Sequence, residues 1–210
     1  MRVLSPFSNQ MKIGCVIFFN DGEFLTKCLQ ALKGKVDKIV AIDGAYKDFP
    51  HLVPYSTDGS IEVAEKFADE VIKVKYPWED EIAKRNRYLE CAKTGDFIIV
   101  VDADEELEGD LSGIKEDFYQ LMLHRVDGVP PYPVFRVHKK IEDMFYSGTH
   151  HSLWCGDELI NLRKEKIPVL EGAKLIHRCS ERDKQRIENK GTYYRIIQEK
   201  ERAYRQEFGL

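Results

Sequence analysis

Short apolar runs alternate with helix-period patterns through the first half of the chain. Each run is short and rich in β-branched residues, and each is followed by a polar turn and then by apolar residues three or four positions apart. This alternation predicts a doubly wound, mostly parallel sheet with helices on both faces. The predicted strands span 11–19, 38–42, 71–76 and 97–101, and the predicted helices cover 24–32, 61–68 and 82–92.

The pattern becomes irregular after Leu111. It predicts a helix over 112–124, a proline-rich turn at 130–133, and a small antiparallel part that carries substrate loops. The strand-like pieces of that part are 134–138, 152–154 and 159–163. The stretch 181–210 mixes charges of both signs with a few apolar residues, which predicts a largely solvated C-terminal helix packed by one face.

Length and composition indicate one ordinary enzyme-sized domain. The 210 residues are 43% hydrophobic and 32% charged, with a formal charge of -4, which is typical of a globular protein, and no overall charge argues for nucleic-acid binding. The five cysteines form no C-x-x-C pair, which favours reduced thiols and a cytoplasmic location. No apolar stretch reaches the ~20 residues of a membrane span, so no transmembrane segment is expected. The oligomeric state is left open.

Polar side chains follow three of the four predicted strands. Asn20 comes after the first strand, Asp43 after the second, and Asp102 and Asp104 after the fourth. An isolated D-x-D pattern is more often an acidic turn that caps a helix. The carboxyl ends of parallel strands meet at one edge, however, where such sheets bind ligands. Two acids spaced by two can also share a divalent cation. The set therefore favours a polar ligand crevice.

Several motifs together resemble the metal-dependent glycosyltransferases of the GT-A fold, particularly family 2 and its relatives, over about residues 11–178. The resemblance depends on Asn20 after the opening strand, on 39–43, on the Ser-Thr-Asp-Gly-Ser segment 56–60, on 78–86 and on 95–105. It implies a GT-A catalytic domain over 1–180, with a donor half at 11–110, an acceptor half at 111–180, and a C-terminal helical extension at 181–210.

The resemblance also implies roles for particular residues. Asp43 matches the acid that binds the base of a nucleoside-diphosphate sugar, and Arg85 lies on the helix that borders the donor. Asp102 and Asp104 match the pair that holds Mn²⁺ or Mg²⁺ against the diphosphate, and His177 matches a further metal ligand. Asn20, Asp58 and Ala103 complete the set that the resemblance assigns to donor binding.

The acceptor side is less determined. A single displacement with inversion requires a base that takes the proton of the acceptor hydroxyl, and Asp157 and Glu158 are candidates, with an acidic turn as an equal alternative. His151, in a Gly-Thr-His-His stretch, is a candidate contact to the acceptor. A retaining mechanism needs no such base. The acceptor itself remains open among saccharides, lipids, proteins and modified nucleobases.

The chain departs from the family pattern at residues 45–55, which separate Asp43 from the 56–60 segment. We expect a surface loop there, with an aromatic lid over the donor as the alternative. Lys84, on the predicted third helix, is expected to be a solvated position.

The predicted function is transfer of a sugar from a nucleoside-diphosphate sugar to a hydroxyl. One alternative is a degenerate GT-A module that only binds. A sugar nucleotidyltransferase is less favoured because no early glycine-rich loop is present. A phosphatase of the haloacid dehalogenase type is disfavoured because its D-x-D belongs on the first strand.

Overall fold

A computed structural model of the chain describes residues 10–148, 152–160, 166–182 and 184–208. Within these ranges the chain forms four α-helices and eleven β-strands, and a 3-10 turn at Cys179–Glu181 precedes the last helix. The helices are α1 (Gly22–Leu32), α2 (Ser60–Phe67), α3 (Glu81–Glu90) and α4 (Lys184–Phe208). The strands are β1 (Lys12–Ile17), β2 (Lys38–Ile42), β3 (Glu70–Ile72), β4 (Phe97–Asp102), β5 (Glu105–Gly109), β6 (Phe118–Arg125), β7 (Tyr132–Lys139), β8 (Met144–Ser147), β9 (Ser152–Cys155), β10 (Glu158–Leu159) and β11 (Val169–His177).

Eight strands form one mixed sheet in the order β3-β2-β1-β4-β7-β6-β11-β5. The four strands from β3 to β4 are mutually parallel, as the alternating pattern predicts. β7 then runs antiparallel to β4 and β6, and β11 runs parallel to β6 and antiparallel to β5. β8, β9 and β10 form a separate small antiparallel sheet. The carboxyl ends of β1, β2 and β4 therefore meet at one edge.

The central strands contribute side chains to two apolar cores, one on each face of the sheet, because successive side chains of a strand point to opposite faces. Val16 of β1 and Ile99 of β4 pack with α1 and α2, whereas Cys15 and Val100 pack with α3, β8 and β9. These strands are buried on both faces, which explains their nearly continuous apolar sequences. The apolar residues of α1 that face the first core are Leu25, Cys28, Leu29 and Leu32.

The predicted helix over 112–124 is wrong. Residues 118–125 form β6, which lies between β7 and β11 in the sheet. Tyr119, Leu121 and Leu123 are buried at every second position, and this period of two matches a strand rather than a helix. The neighbours that stabilise the strand come from later in the chain, so a pattern judged locally reads the apolar residues as a helix face.

The C-terminal helix forms as predicted and packs against the segments that follow β1 and β2. Tyr193 is buried, and it joins a third apolar cluster with Phe19, Ala45 and Phe49. Helix α4 therefore contributes to the same edge of the sheet as the strand ends. Within the described parts of the chain, no helix combines the length and the apolar character needed to cross a membrane.

Candidate active site

A cleft opens at the carboxyl ends of β1, β2 and β4. The space between its walls, counted together with the open solvent at its mouth, is about 660 Å³. One wall is aromatic and the floor is charged. The lining residues are Ile17, Phe18, Phe19, Asp21, Ala45, Tyr46, Phe49, Glu81, Lys84, Asp102, Ala103, Asp104, Arg182, Lys190, Tyr193 and Tyr194.

Asp102 stands at the centre of a buried network of ion pairs. Its Oδ1 accepts a hydrogen bond from Arg85 at 3.0 Å, and its Oδ2 accepts one from Arg136 of β7 at 2.8 Å. Arg85 also pairs with Glu81 at 2.9 Å, and Arg136 pairs with Glu105 at 2.6 Å. The chain Glu81–Arg85–Asp102–Arg136–Glu105 thus links helix α3, strand β7 and the end of β4.

Burial and ion pairing together set the pKa values of the groups in this network. It raises the pKa of Glu105, which is 1% exposed, although Arg136 opposes that rise. The two arginines stay charged, because Asp102 and the other carboxylates more than offset the loss of solvation and raise the pKa of both guanidinium groups. Asp102 is therefore rigidly held and partly neutralised.

Asp104 has its own cationic partners. Its Oδ2 accepts a hydrogen bond from Arg182 Nε at 2.8 Å, and the same oxygen lies 3.3 Å from His177 Nε2. Burial alone would raise the pKa of Asp104, but His177 and Arg182 together hold it well below its ordinary value. Arg182 also pairs with Asp21, at the start of α1. The segment after β11 is therefore tied to two strand ends of the donor half.

The side chains at this edge are of the kinds that bind a divalent cation, but arginines donate hydrogen bonds to both carboxylates. Carboxylate oxygens of Asp102 and Asp104 are the ligands that Mg²⁺ and Mn²⁺ prefer. His177 lies beside Asp104, and its Nδ1 is buried with no hydrogen-bond partner among the described residues. Within those same ranges, no three Asp, Glu, His or Cys side chains converge to hold a metal ion. A cation that binds Asp104 Oδ2 competes there with Arg182.

The other predicted donor residues hold the loops that border the cleft. Asp43 is fully buried, and its carboxylate accepts hydrogen bonds from the backbone N–H and the hydroxyl of Ser56, at 3.1 and 2.6 Å. Asn20 Oδ1 accepts from Thr57 N–H at 2.8 Å. Asp58 accepts from the N–H groups of Gly22 and Ser60, both at 3.0 Å. These contacts join the segment 56–60 to the ends of β1 and β2.

The turn after β2 requires a glycine. Gly44 has φ of +119°, and a Cβ there would lie 2.5 Å from Val74 Cγ2 and 2.8 Å from Trp78 Nε1. The Trp78 indole N–H donates to the carbonyl of Asp43 at 2.8 Å. The close approach of Trp78 thus fixes the turn that leads into residues 45–55.

Residues 45–55 form part of the cleft wall and are not simply a surface loop. The Tyr46 ring stacks on Tyr193 of α4 with centroids 5.1 Å apart, and Phe49 meets both Phe19 and Tyr193 edge-on. The tip of the segment is open, since Leu52 is fully exposed. The insertion and the C-terminal helix therefore build the aromatic wall together.

Lys84 is buried, so the expectation of a solvated position is wrong. Its Nζ donates to the carbonyl oxygens of Phe18 and Gly44, both at 2.6 Å, and lies 5.4 Å from the centre of the Tyr46 ring. The carbonyl oxygens after β1 and β2 offset part of the cost of burying this cation. Lys84 places a positive charge in the floor of the cleft.

The predicted acceptor residues lie apart from this cleft or outside the described residues. Asp157 lies in the turn between β9 and β10, Glu158 begins β10, and neither is among the side chains that line the cleft. His151 lies outside the described residues, as do 149 and 150. Ala103, between the two aspartates, does line the cleft.

Arg136, Arg182 and Tyr193 are among the residues of the site that sequence reasoning missed. Arg136 is a polar residue at a position of β7 that is only partly exposed, and its neighbours in sequence give no sign of a partner. Arg182 and Tyr193 fall in the charged C-terminal stretch, which reads as solvated. The available signal was the aromatic pair at 193 and 194 within that stretch.

Comparison with known proteins supports the fold. No family model matches the chain. A TPR repeat-containing protein of Synechococcus elongatus is 29% identical over 93 residues, which is 44% of this chain and 20% of that protein. The chain thus spans about a fifth of this curated relative. Residues 1–349 of S. aureus TarS match 89% of the chain and 64% of their own length, with a TM-score of 0.55 and 16% identity. This likeness supports the predicted GT-A-like α/β fold.

Proposed function

We propose that the chain is a glycosyltransferase that uses a nucleoside-diphosphate sugar. One observation carries the proposal: carboxylates, cations and an aromatic wall meet in a single cleft at the carboxyl ends of β1, β2 and β4. A nucleoside-diphosphate sugar has the matching parts, namely a flat base, a charged diphosphate and a polar sugar. TarS is a family 2-like glycosyltransferase, and the likeness of fold is consistent with this assignment.

Each part of the cleft has a role in this proposal. The wall of Tyr46, Phe49 and Tyr193 offers stacking surfaces for a base. Asp43 orders the segment that starts at Ser56 and so positions the loop beside the base. Lys84, in the floor, stabilises the negative charge that builds on the leaving diphosphate when the bond to the anomeric carbon breaks.

Asp102 and Asp104 would hold a divalent cation, with His177 beside Asp104. The cation supplies Lewis-acid stabilisation of the leaving phosphate oxygens. Arg85 and Arg136 keep the Asp102 carboxylate in place. These arginines position a ligand and do not themselves line the cleft.

Binding and donor hydrolysis test the proposal without knowledge of the acceptor. A panel of nucleoside-diphosphate sugars is screened by thermal shift with and without Mn²⁺, and release of nucleoside diphosphate is then measured. A donor at about 100 times its Kd stabilises the protein by ~2.7 kcal/mol. Binding without hydrolysis or transfer indicates a binding module, whereas no binding across the panel contradicts the proposal.

Two conservative variants test the carboxylates. Asp104→Asn keeps an oxygen that accepts from Arg182, and Asp102→Asn keeps one that accepts from either Arg85 or Arg136, so each disturbs the fold less than alanine. We expect each to lower donor turnover by about 100-fold or more, the scale of losing one group that stabilises developing charge. Asp127→Asn is the matched control, because Asp127 pairs with Arg125 at the end of β6 and is not among the residues that line the cleft. Turnover that is independent of metal and unchanged by either asparagine excludes the proposed role of the pair.

A further inference from the structure

Arg182 occupies the part of the cleft where a cation is needed. Its side chain is only 9% exposed, and it bridges Asp104 and Asp21, whose side chains are 2% and 4% exposed. The guanidinium also lies 5.1 Å from the centre of the Phe24 ring. An arginine from the segment before α4 thus neutralises two buried acids of the donor half.

The charge of the cleft depends on this contact. Four carboxylates line it, those of Asp21, Glu81, Asp102 and Asp104, together with the cations Lys84, Arg182 and Lys190. Arg85 and Arg136 pair with Glu81 and Asp102, which leaves Arg182 as the ion-pair partner of Asp21 and Asp104. The carboxylates that line the cleft oppose the entry of a doubly negative diphosphate, and added positive charge favours it. A divalent cation alone would in turn compete with Arg182 for Asp104. We therefore expect the diphosphate and the divalent cation to bind more tightly together than either binds alone.

We propose that Arg182 is an exchangeable counter-ion. It pairs with Asp104 when no ligand is bound, and it leaves that carboxylate when a divalent cation binds there. Its guanidinium then pairs with the diphosphate instead. This inference rests on the proposed function and adds a positioning residue to it. Carboxylate and phosphate present similar paired oxygens to a guanidinium, so the exchange keeps hydrogen bonds of the same kind.

The segment around Arg182 allows a local exchange. Arg178 anchors one end, because its N–H donates to the backbone carbonyl of Asp104 at 2.9 Å. Helix α4 begins at Lys184, and Lys190, Tyr193 and Tyr194 on its first turns line the same cleft. The exchange therefore moves one side chain next to a wall that is already in place.

The proposal requires that metal and diphosphate assist each other. A diphosphate that accepts Arg182 frees Asp104 for the metal, and by linkage the metal strengthens the binding of the diphosphate by the same factor. Inorganic pyrophosphate is a suitable probe, because it contains the diphosphate but no base or sugar. Mn²⁺ binding is measured by equilibrium dialysis with the same pyrophosphate concentration in both chambers, and affinities are expressed against free Mn²⁺ because pyrophosphate itself binds the metal.

For the wild type we expect pyrophosphate to tighten Mn²⁺ binding at least tenfold. In Arg182→Gln we expect Mn²⁺ alone to bind several-fold more tightly, since Asp104 has lost its competitor, and the effect of pyrophosphate to fall below about threefold. Arg178→Gln is the matched control, because that side chain pairs with Glu106 and Glu181 outside the cleft. It should behave like the wild type.

Unchanged or weaker Mn²⁺ binding in Arg182→Gln overturns the proposal, since it makes Arg182 a structural support or a bystander. If this variant fails to fold, the wild type still decides, because a lack of coupling between Mn²⁺ and pyrophosphate also overturns it. Failure here is distinct from failure of the proposed function. A nucleotide-sugar that binds and is hydrolysed without such coupling leaves the function intact and refutes only the exchange.

Discussion

Removal of the Arg136 guanidinium is the most direct test of the buried network. Arg136→Met keeps a long side chain at this position of β7 but removes the charge that pairs with both Asp102 and Glu105. Asp102 retains Arg85, whereas Glu105, which is 1% exposed, loses its ion-pair partner. Loss of one partner of a buried pair leaves an uncompensated charge and typically costs about 3–5 kcal/mol.

That cost is a large part of the stability of a domain, which is about 5–15 kcal/mol. It should also depend on pH. Arg136 opposes the upward effect of burial on the pKa of Glu105, so its loss raises that pKa further. Protonation of Glu105 then removes the unpaired charge. The variant should lose less stability relative to the wild type at pH 5 than at pH 8.

Urea unfolding at both pH values measures this effect, with Arg125→Met as the control. Arg125 is also ion-paired, with Asp127, but that pair is partly exposed, so we expect a loss of at most about 1 kcal/mol. The double variant Glu105→Gln with Arg136→Met should recover much of the stability, since glutamine can still accept the Asp102 N–H bond, which is 2.9 Å long. An Arg136→Met protein within 1 kcal/mol of the wild type at pH 8 would refute the reasoning.

Three further predictions concern Glu105 and Tyr193. Burial raises the pKa of Glu105 from 4.5 to about 7, so the folded protein keeps a proton that the unfolded chain loses, and stability from this group falls as pH rises across that window. Urea midpoints of Glu105→Gln should fall less over this range, and an identical slope contradicts the assignment. Tyr193 Oη accepts the Glu81 N–H at 3.2 Å, so Tyr193→Phe should cost ~1 kcal/mol by urea unfolding. Tyr193→Ala should also release α4 to limited proteolysis, and unchanged cleavage would show that the aromatic wall does not hold the helix.

The periodicity of the sequence was sufficient for the parallel half of the fold. β1, β2 and β4 are apolar on both faces and α1 is apolar on one face, so each reveals its type within its own residues. The polar residues at the strand ends followed from the same reasoning, and they placed Asp102 and Asp104 at the cleft. The position of β6 did not follow, because its partners β7 and β11 lie later in the chain.

The partners of the site residues were decided only by the tertiary structure. Asp102 and Arg136 are 34 positions apart in sequence, and Asp104 and Arg182 are 78 apart. No local pattern encodes such pairs, because an arginine in a charged helix and an arginine inside a cleft look alike in sequence. The sequence by itself determined where the carboxylates are, since strand ends are a local property. Folding determined what neutralises them, since that depends on which distant segments the sheet order and α4 bring to the same edge.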